Sequence, residues 1–324
     1  MSVALVFPGQ GAQFVGMGQA LLDAEPLARQ VLREAGEASG LDLDRLIRES
    51  PADRLAETEI TQPAILAVSA AVAAVLASRG VVPAATAGLS LGEYTALVAA
   101  GAMDAGPAAA LVRRRGRYMQ EAVPLGEGAM AAVLGLEVAA VERLCAEVAA
   151  AMPVPAPDGG WVLAPANFNC PGQIVIAGHA AAVAEAAARG REFGARRVAV
   201  LPVSAPFHCS LMAPAAARLA PELAALALRP AACPVVANVH ARAVESPDEM
   251  RQALLAQVCS PVRWEDVVRT LAAMGCDTFV EVGPGKTLSG FIQRILPAAR
   301  VLAVCDPESL AAAVAACAHA DGEG

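Results

Sequence analysis

The chain has 324 residues, a formal net charge of −8 and 56% hydrophobic side chains. That is enough apolar material for a sizeable core and excludes a disordered chain. Aromatic side chains make up only 3%, too few for base-stacking platforms, and the acidic balance argues against nucleic acid or an anionic membrane as a partner. The eight cysteines form no C-x-x-C pair and share no metal-ligand spacing with the four histidines. They are read as reduced thiols of a cytoplasmic protein, with no metal site expected.

Ser2 to Pro8 reads as a buried strand. The glycine-rich turn after it, Gly9-Gln10-Gly11, fails the dinucleotide fingerprint, because Phe14 stands where a third small residue is needed. A loop that lines a pocket with its backbone and with Gln10 is the better reading. Glu25 to Gly36 and Asp42 to Glu49 have helical periodicity. The uncharged run Ile60 to Ser78 is long enough to span a bilayer, yet its alanine content and Thr61, Gln62, Pro63 and Ser69 predict a buried core helix, Gln62 to Arg79, with Pro63 in its first turn.

Thr86 to Leu89 reads as a strand and Gly92 to Ala100 as a helix, with Gly88-Leu89-Ser90-Leu91-Gly92 between them. A serine between glycines at a strand-to-helix junction is the pattern of a nucleophile elbow. The turn strains the serine backbone and leaves little room for side chains two residues away on either side. The Leu91 N–H falls in the first helical turn, where it lacks an intrahelical partner and the helix dipole favours negative charge. It can supply half of an oxyanion hole.

Asp104 to Val123 predicts a helix capped by Asp104 and carrying Arg113, Arg114, Arg115 and Arg117. At about 100° per residue, Leu111, Val112, Tyr118 and Met119 fall within an arc of roughly 120°. Arg115 lies inside that arc, whereas Arg113 and Arg117 lie opposite. A buried arginine needs an anion. Either a protein carboxylate or a substrate carboxylate held by the planar guanidinium fork meets that need.

From Gly128 to Val203 the order strand, helix, strand, strand, helix, strand predicts a ferredoxin-like insert. The chain then returns through Phe207 and His208. Among the histidines, His319 falls in a tail, His179 opens an insert helix and His240 follows a strand. His208 is therefore the best base for Ser90, although no acidic residue is placed as a third member of a triad. Strands at Pro234 to Val239, Thr278 to Val282 and Val301 to Cys305 complete the reading. Gly283 to Thr287 lacks the first glycine of a phosphate loop.

Several stretches together resemble the malonyl-CoA:acyl carrier protein transacylases of fatty-acid and polyketide synthesis. They are Phe7-Pro8-Gly9-Gln10-Gly11-Ala12-Gln13, Thr61-Gln62-Pro63, Gly88-Leu89-Ser90-Leu91-Gly92-Glu93, Arg115-Gly116-Arg117-Tyr118-Met119-Gln120, Asn167-Phe168-Asn169-Cys170-Pro171-Gly172, Phe207-His208, Gln257-Val258-Cys259-Ser260-Pro261-Val262 and Glu281-Val282-Gly283-Pro284-Gly285. They occur in the family's order and cover nearly the whole chain.

The resemblance implies an α/β fold. An α/β-hydrolase-like subdomain would comprise residues 1–127 and 204–320, a ferredoxin-like subdomain 128–203, and a tail 321–324. It implies Ser90 as acylated nucleophile, His208 as base and acid, and the N–H groups of Gln10 and Leu91 as oxyanion hole. Arg115 would bind the malonyl carboxylate, and the main-chain carbonyl of Gln257 would orient His208. Gln62, Met119 and Asn167 would line or support the pocket, and Phe207 resembles the bulky choice linked with malonyl over methylmalonyl. Malonyl-CoA and acyl carrier protein would be the partners of a monomer with no bound cofactor, the CoA thioester being substrate. Leu89 departs from the family's more usual histidine before the nucleophile.

Overall fold

The computed structural model describes residues 2–153, 160–203 and 205–318. The expected tail, with His319, and most of Pro153 to Gly160, which the sequence predicts as a loop, lie outside the described residues. Along the chain the strands are β1 (Val3–Phe7), β2 (Ala85–Gly88), β3 (Gly128–Leu134), β4 (Leu163–Cys170), β5 (Gln173–His179), β6 (Arg197–Val200), β7 (Val235–Val236), β8 (Ala243–Val244), β9 (Thr278–Val282) and β10 (Arg300–Val304). They form two sheets.

The larger sheet has the order β10-β9-β1-β2-β7-β8. Its strands pair in parallel except for β8, which returns antiparallel on β7. Both faces are covered, so β1 and β9 are buried along their whole length and read as continuous apolar runs, not alternating ones. One face packs against the helix Thr58–Ser78, whose side chains are buried almost throughout. It is the one described helix long and apolar enough to cross a membrane, and 89% of its most apolar window is inside the protein.

Pro63 is the sixth residue of that helix, not in its first turn as the sequence predicts. The helix begins at Thr58, one turn earlier than expected. Thr61 Oγ1 donates to the Leu55 carbonyl across this entry at 2.5 Å. The arginine-bearing helix runs from Ala105 to Glu121. Asp104 precedes it but makes no side-chain cap. Its carboxylate instead takes Arg229 Nη2 at 2.7 Å. A charge-assisted pair with a distant arginine outcompetes the local N–H groups.

The smaller sheet has the order β4-β5-β3-β6, antiparallel throughout. The helices Val138–Ala151 and Ala180–Arg189 pack on it around Val133, Leu144, Ile174, Ile176 and Val183. The final strand ends at Val200 instead of continuing to Val203. One bridge stitches this unit to the body: Phe168 N–H donates to the Val262 carbonyl and Val262 N–H to that of Ala166, both at 2.8 Å. The cleft between β4, the end of β1 and the end of β2 holds the candidate site.

Candidate active site

The parallel strands β1 and β2 end side by side, and the chain turns at the end of β2 through Ser90. Ser90 has φ 53°, a left-handed conformation that costs a non-glycine residue about 1 kcal/mol or more. Three features hold it there. A Cβ on Gly88 would lie 1.9 Å from the Gly92 carbonyl carbon, and one on Gly92 would lie 2.1 Å from the Phe7 carbonyl oxygen. Both glycines are therefore fixed by close backbone approach. Asn238, just beyond β7, clamps the turn: its Oδ1 accepts from Ser90 N–H at 2.6 Å and its Nδ2 donates to the Gly88 carbonyl at 2.7 Å.

His208 lies against Ser90. Its Nε2 is 2.7 Å from Ser90 Oγ, and its Nδ1 is 2.9 Å from the Gln257 carbonyl. A carbonyl only accepts, so Nδ1 carries the proton and Nε2 presents its lone pair to the serine hydroxyl. Burial first, and then the Arg115 charge, lower the His208 pKa to about 4, against the Gln257 and Ser260 backbone bonds, which oppose the shift. The imidazole is thus neutral and able to accept a proton at ordinary pH.

Arg115 is 1% exposed, as its helical phase requires. Its Nη1 donates to Gln62 Oε1 at 2.9 Å. Its Nη2 donates to Gln257 Oε1 at 2.9 Å and to Ser90 Oγ at 3.2 Å. The guanidinium carbon stands 5.3 Å from the Tyr94 ring centroid. No carboxylate oxygen forms an ion pair with it among the described residues, and its buried Nε has no acceptor there. Burial lowers the Arg115 pKa. A fully buried cation held only by neutral acceptors is an unmet demand for an anion.

A cavity of about 220 Å³ opens over these groups. Gln10, Gln62, Ser90, Leu91, Arg115, Met119, Asn167, Phe207 and His208 all line it, so the structure brings every expected pocket residue to one place. Gln257 stands behind His208 and is fully buried. Leu91 precedes the helix Gly92–Ala99, and no protein acceptor takes its N–H or that of Gln10 among the described residues. Gly9 lets the Gln10 loop lie on the elbow, since a Cβ there would be 2.5 Å from the Leu89 carbonyl oxygen. The Leu89 side chain packs on an apolar cluster with Ala87 and Val236, so it forms a wall of the cavity and, unlike a histidine, offers no side-chain hydrogen bond.

The other arginines of the helix are occupied elsewhere. Arg113 Nη1 donates to the Ser39 carbonyl at 2.7 Å, Arg114 pairs with Glu222 at 2.9 Å, and Arg117 is exposed beside Tyr118.

Two site residues receive no role from the sequence. Asn238 is the elbow clamp, and Glu93 is a carboxylate 2% exposed in the first turn of the helix after Ser90. Glu93 Oε2 accepts from Asn238 N–H at 2.9 Å and from Gln257 Nε2 at 2.8 Å. Burial raises its pKa to about 7, against those bonds and the Arg115 charge. Its place three residues after the serine, inside an otherwise apolar helix, is the only hint the sequence offers.

Residues 4–306 match the model of the acyl transferase domain family. The chain is 45% identical to the malonyl CoA-acyl carrier protein transacylase of Escherichia coli over 96% of its own length and 98% of that protein's. The solved malonyl CoA-acyl carrier protein transacylase of Coxiella burnetii superposes with a TM-score of 0.93 at 39% identity, covering 98% of each chain. A malonyl-transacylase solved in complex with its type II PKS acyl-carrier protein superposes at 0.92 with 41% identity, covering 98% of this chain and all of that one. With a neutral histidine on an elbow serine and a buried guanidinium beside it, the chain belongs to the malonyl CoA-acyl carrier protein transacylase family of acyl transferases.

Proposed function

We propose that the protein moves a malonyl group from malonyl-CoA to the phosphopantetheine thiol of an acyl carrier protein, through a malonyl ester on Ser90. The observation that carries this reading is Arg115. A buried guanidinium without a carboxylate partner touches the nucleophile itself at 3.2 Å. An acyl group bearing a free carboxylate supplies the missing anion and is held with its thioester at Ser90.

Ser90 Oγ attacks the thioester carbon and His208 Nε2 takes the hydroxyl proton. The N–H groups of Leu91 and Gln10 receive the developing oxyanion, each worth about 3–4 kcal/mol in sites of this type. The carbon–sulfur bond breaks, and His208 returns the proton to the CoA thiol. The carrier thiol then attacks the ester, His208 again moving the proton, and Ser90 is released. The low pKa of His208 makes its protonated form a strong acid toward the leaving group. Serine, histidine and the two thiols balance each half-reaction, so no bound cofactor is required. All these groups come from one chain, so the chemistry needs no residue from a second copy.

Strand order supports the finer architecture. The β4-β5-β3-β6 order of an antiparallel sheet with two helices is that of a ferredoxin-like unit over residues 128–203. The parallel sheet with a nucleophile elbow is that of an α/β-hydrolase-like body formed by 1–127 and 204–320.

The test is the intact mass of the protein after incubation with malonyl-CoA. A malonyl adduct is expected that is absent from Ser90→Ala and is discharged by the holo carrier protein. Rapid loss of the adduct as free malonate without a carrier would overturn the transfer reading in favour of hydrolysis.

A further inference from the structure

Glu93 is not needed as a base, an acid or a ligand in that reaction, yet it is a buried carboxylate one residue removed from Ser90, His208 and Arg115. Gln257 is the intermediary. Its main-chain carbonyl accepts from His208 Nδ1, its side-chain Oε1 accepts from Arg115 Nη2, and its Nε2 donates to Glu93 Oε2 and to the Ser90 carbonyl. A primary amide can be placed either way round, and the two placements have opposite consequences here. With Oε1 toward Arg115 the guanidinium is held in place. With Nε2 toward Arg115 two donors face each other and the fork is pushed off its position.

We infer that Glu93 is a positioning residue that fixes the orientation of the Gln257 side-chain amide and thereby holds the Arg115 fork at the acyl-carboxylate seat. Glu93 Oε2 accepts from two donors, so the end of the amide facing it is Nε2, and Oε1 is thereby turned to Arg115. The same oxygen of Glu93 takes Asn238 N–H, which fixes the carboxylate against the elbow clamp. Glu93 sits in the first turn of its helix, where the helix dipole favours a negative charge. Its charge reaches Arg115 through one polarised amide instead of by contact. The guanidinium is therefore partly balanced when the seat is empty, yet keeps free donor capacity for the substrate. A direct ion pair would have filled the seat.

The inference rests on the reading that Arg115 receives the acyl carboxylate, and its test separates the two. The ratio of kcat/KM for malonyl-CoA to that for acetyl-CoA is measured in the wild type and in Glu93→Gln, Gln257→Met, the Glu93→Gln/Gln257→Met double variant and Arg115→Ala. Glutamine at 93 can present either end of its amide and so loses the constraint. Methionine at 257 removes the side-chain relay but keeps the main-chain carbonyl on His208. Glu93→Gln and Gln257→Met are each expected to lower the ratio about tenfold, mainly through KM for malonyl-CoA, and Arg115→Ala by the larger factor that loss of the whole fork implies. The double variant is expected to be no worse than Gln257→Met, because both changes break one relay.

Equal losses for both substrates in Glu93→Gln, or losses that multiply in the double variant, would overturn the inference. If Glu93→Gln does not fold, Gln257→Met decides alone: an unchanged ratio there means the amide does not position the fork. A wild-type ratio in Arg115→Ala would instead overturn the carboxylate reading itself, whatever the other variants show.

Discussion

Replacing Arg115 by alanine removes the one buried cation in the cavity, and the structure fixes what that should do. A carboxylate seated on the guanidinium gains two charge-assisted hydrogen bonds, worth about 1.5–3 kcal/mol each. Their loss totals about 3–6 kcal/mol, or roughly 10²- to 10⁴-fold in kcat/KM for malonyl-CoA. Acetyl-CoA offers no carboxylate, so its transfer should be retained or improved. The protein itself should tolerate the change. The three bonds lost go to Gln62, Gln257 and Ser90, and water can enter the vacated space beside them. Against that loss stands relief from a desolvated charge, which burial already penalises. The melting temperature should therefore move by only a few degrees. The assay is steady-state transfer from both thioesters to holo carrier protein, with thermal unfolding as control. Equal losses for malonyl and acetyl transfer in a protein of unchanged stability would refute the role given to Arg115. Arg115→Lys should fall between the two, since a point charge replaces a planar fork.

Gly92→Ala should destabilise by about 3 kcal/mol or more in urea unfolding and abolish acylation, because its Cβ would sit 2.1 Å from the Phe7 carbonyl oxygen. In Glu93→Gln, which removes the other site group titrating in the range, the acid limb of Ser90 acylation should lie below pH 5. His208 is held near 4 instead of 6.5, and removing Arg115 as well should move the limb upward. The thermal stability of the wild type should change little between pH 4.5 and 6.5, because two slopes oppose. The folded pKa of His208 is lowered from 6.5 to about 4, so its contribution is lost as pH falls through that window. That of Glu93 is raised from 4.5 to about 7, so its contribution is lost as pH rises from 4.5 to 7. Glu93→Gln should then unmask a melting temperature that drops steadily on acidification below 6.5, and a flat profile there would contradict the assignment.

The features legible in the sequence are those enforced locally. The Gly88-x-Ser90-x-Gly92 spacing has a steric cause within five residues, and the structure shows that cause as two backbone approaches of about 2 Å. Arg115 was legible because helical phase puts it on the apolar arc wherever the helix goes. Features decided by distant partners were not legible. Asn238 meets Gly88 across 150 residues, and Gln257 meets Glu93 across 164. No periodicity or spacing encodes such pairs. Asp104 shows the two kinds of force in competition. Its position predicts a helix cap, and Arg229, 125 residues away, takes its carboxylate instead. Pro63 shows the same at a helix start, since tertiary packing of Thr58 to Gln62 extends the helix one turn past where the proline would begin it.

The absence of an acidic residue behind His208 follows from the neighbour it would have. A carboxylate at the position of the Gln257 carbonyl would raise the histidine pKa and favour its protonated form before the reaction begins. It would also stand among the partners of Arg115, whose Nη2 already reaches Gln257 Oε1 and Ser90 Oγ. An ion pair formed there would satisfy the guanidinium and remove its preference for a carboxylate-bearing acyl group. A main-chain carbonyl orients the imidazole with the same geometry and carries no charge to divert the arginine. The buried acid the site does contain, Glu93, is separated from Arg115 by the Gln257 amide, at 2.8 Å on one side and 2.9 Å on the other. On the proposed mechanism, catalysis by a dyad and selection by a buried arginine are one electrostatic arrangement: the histidine stays neutral because no anion stabilises its proton, and the arginine selects because no protein anion pairs with it directly.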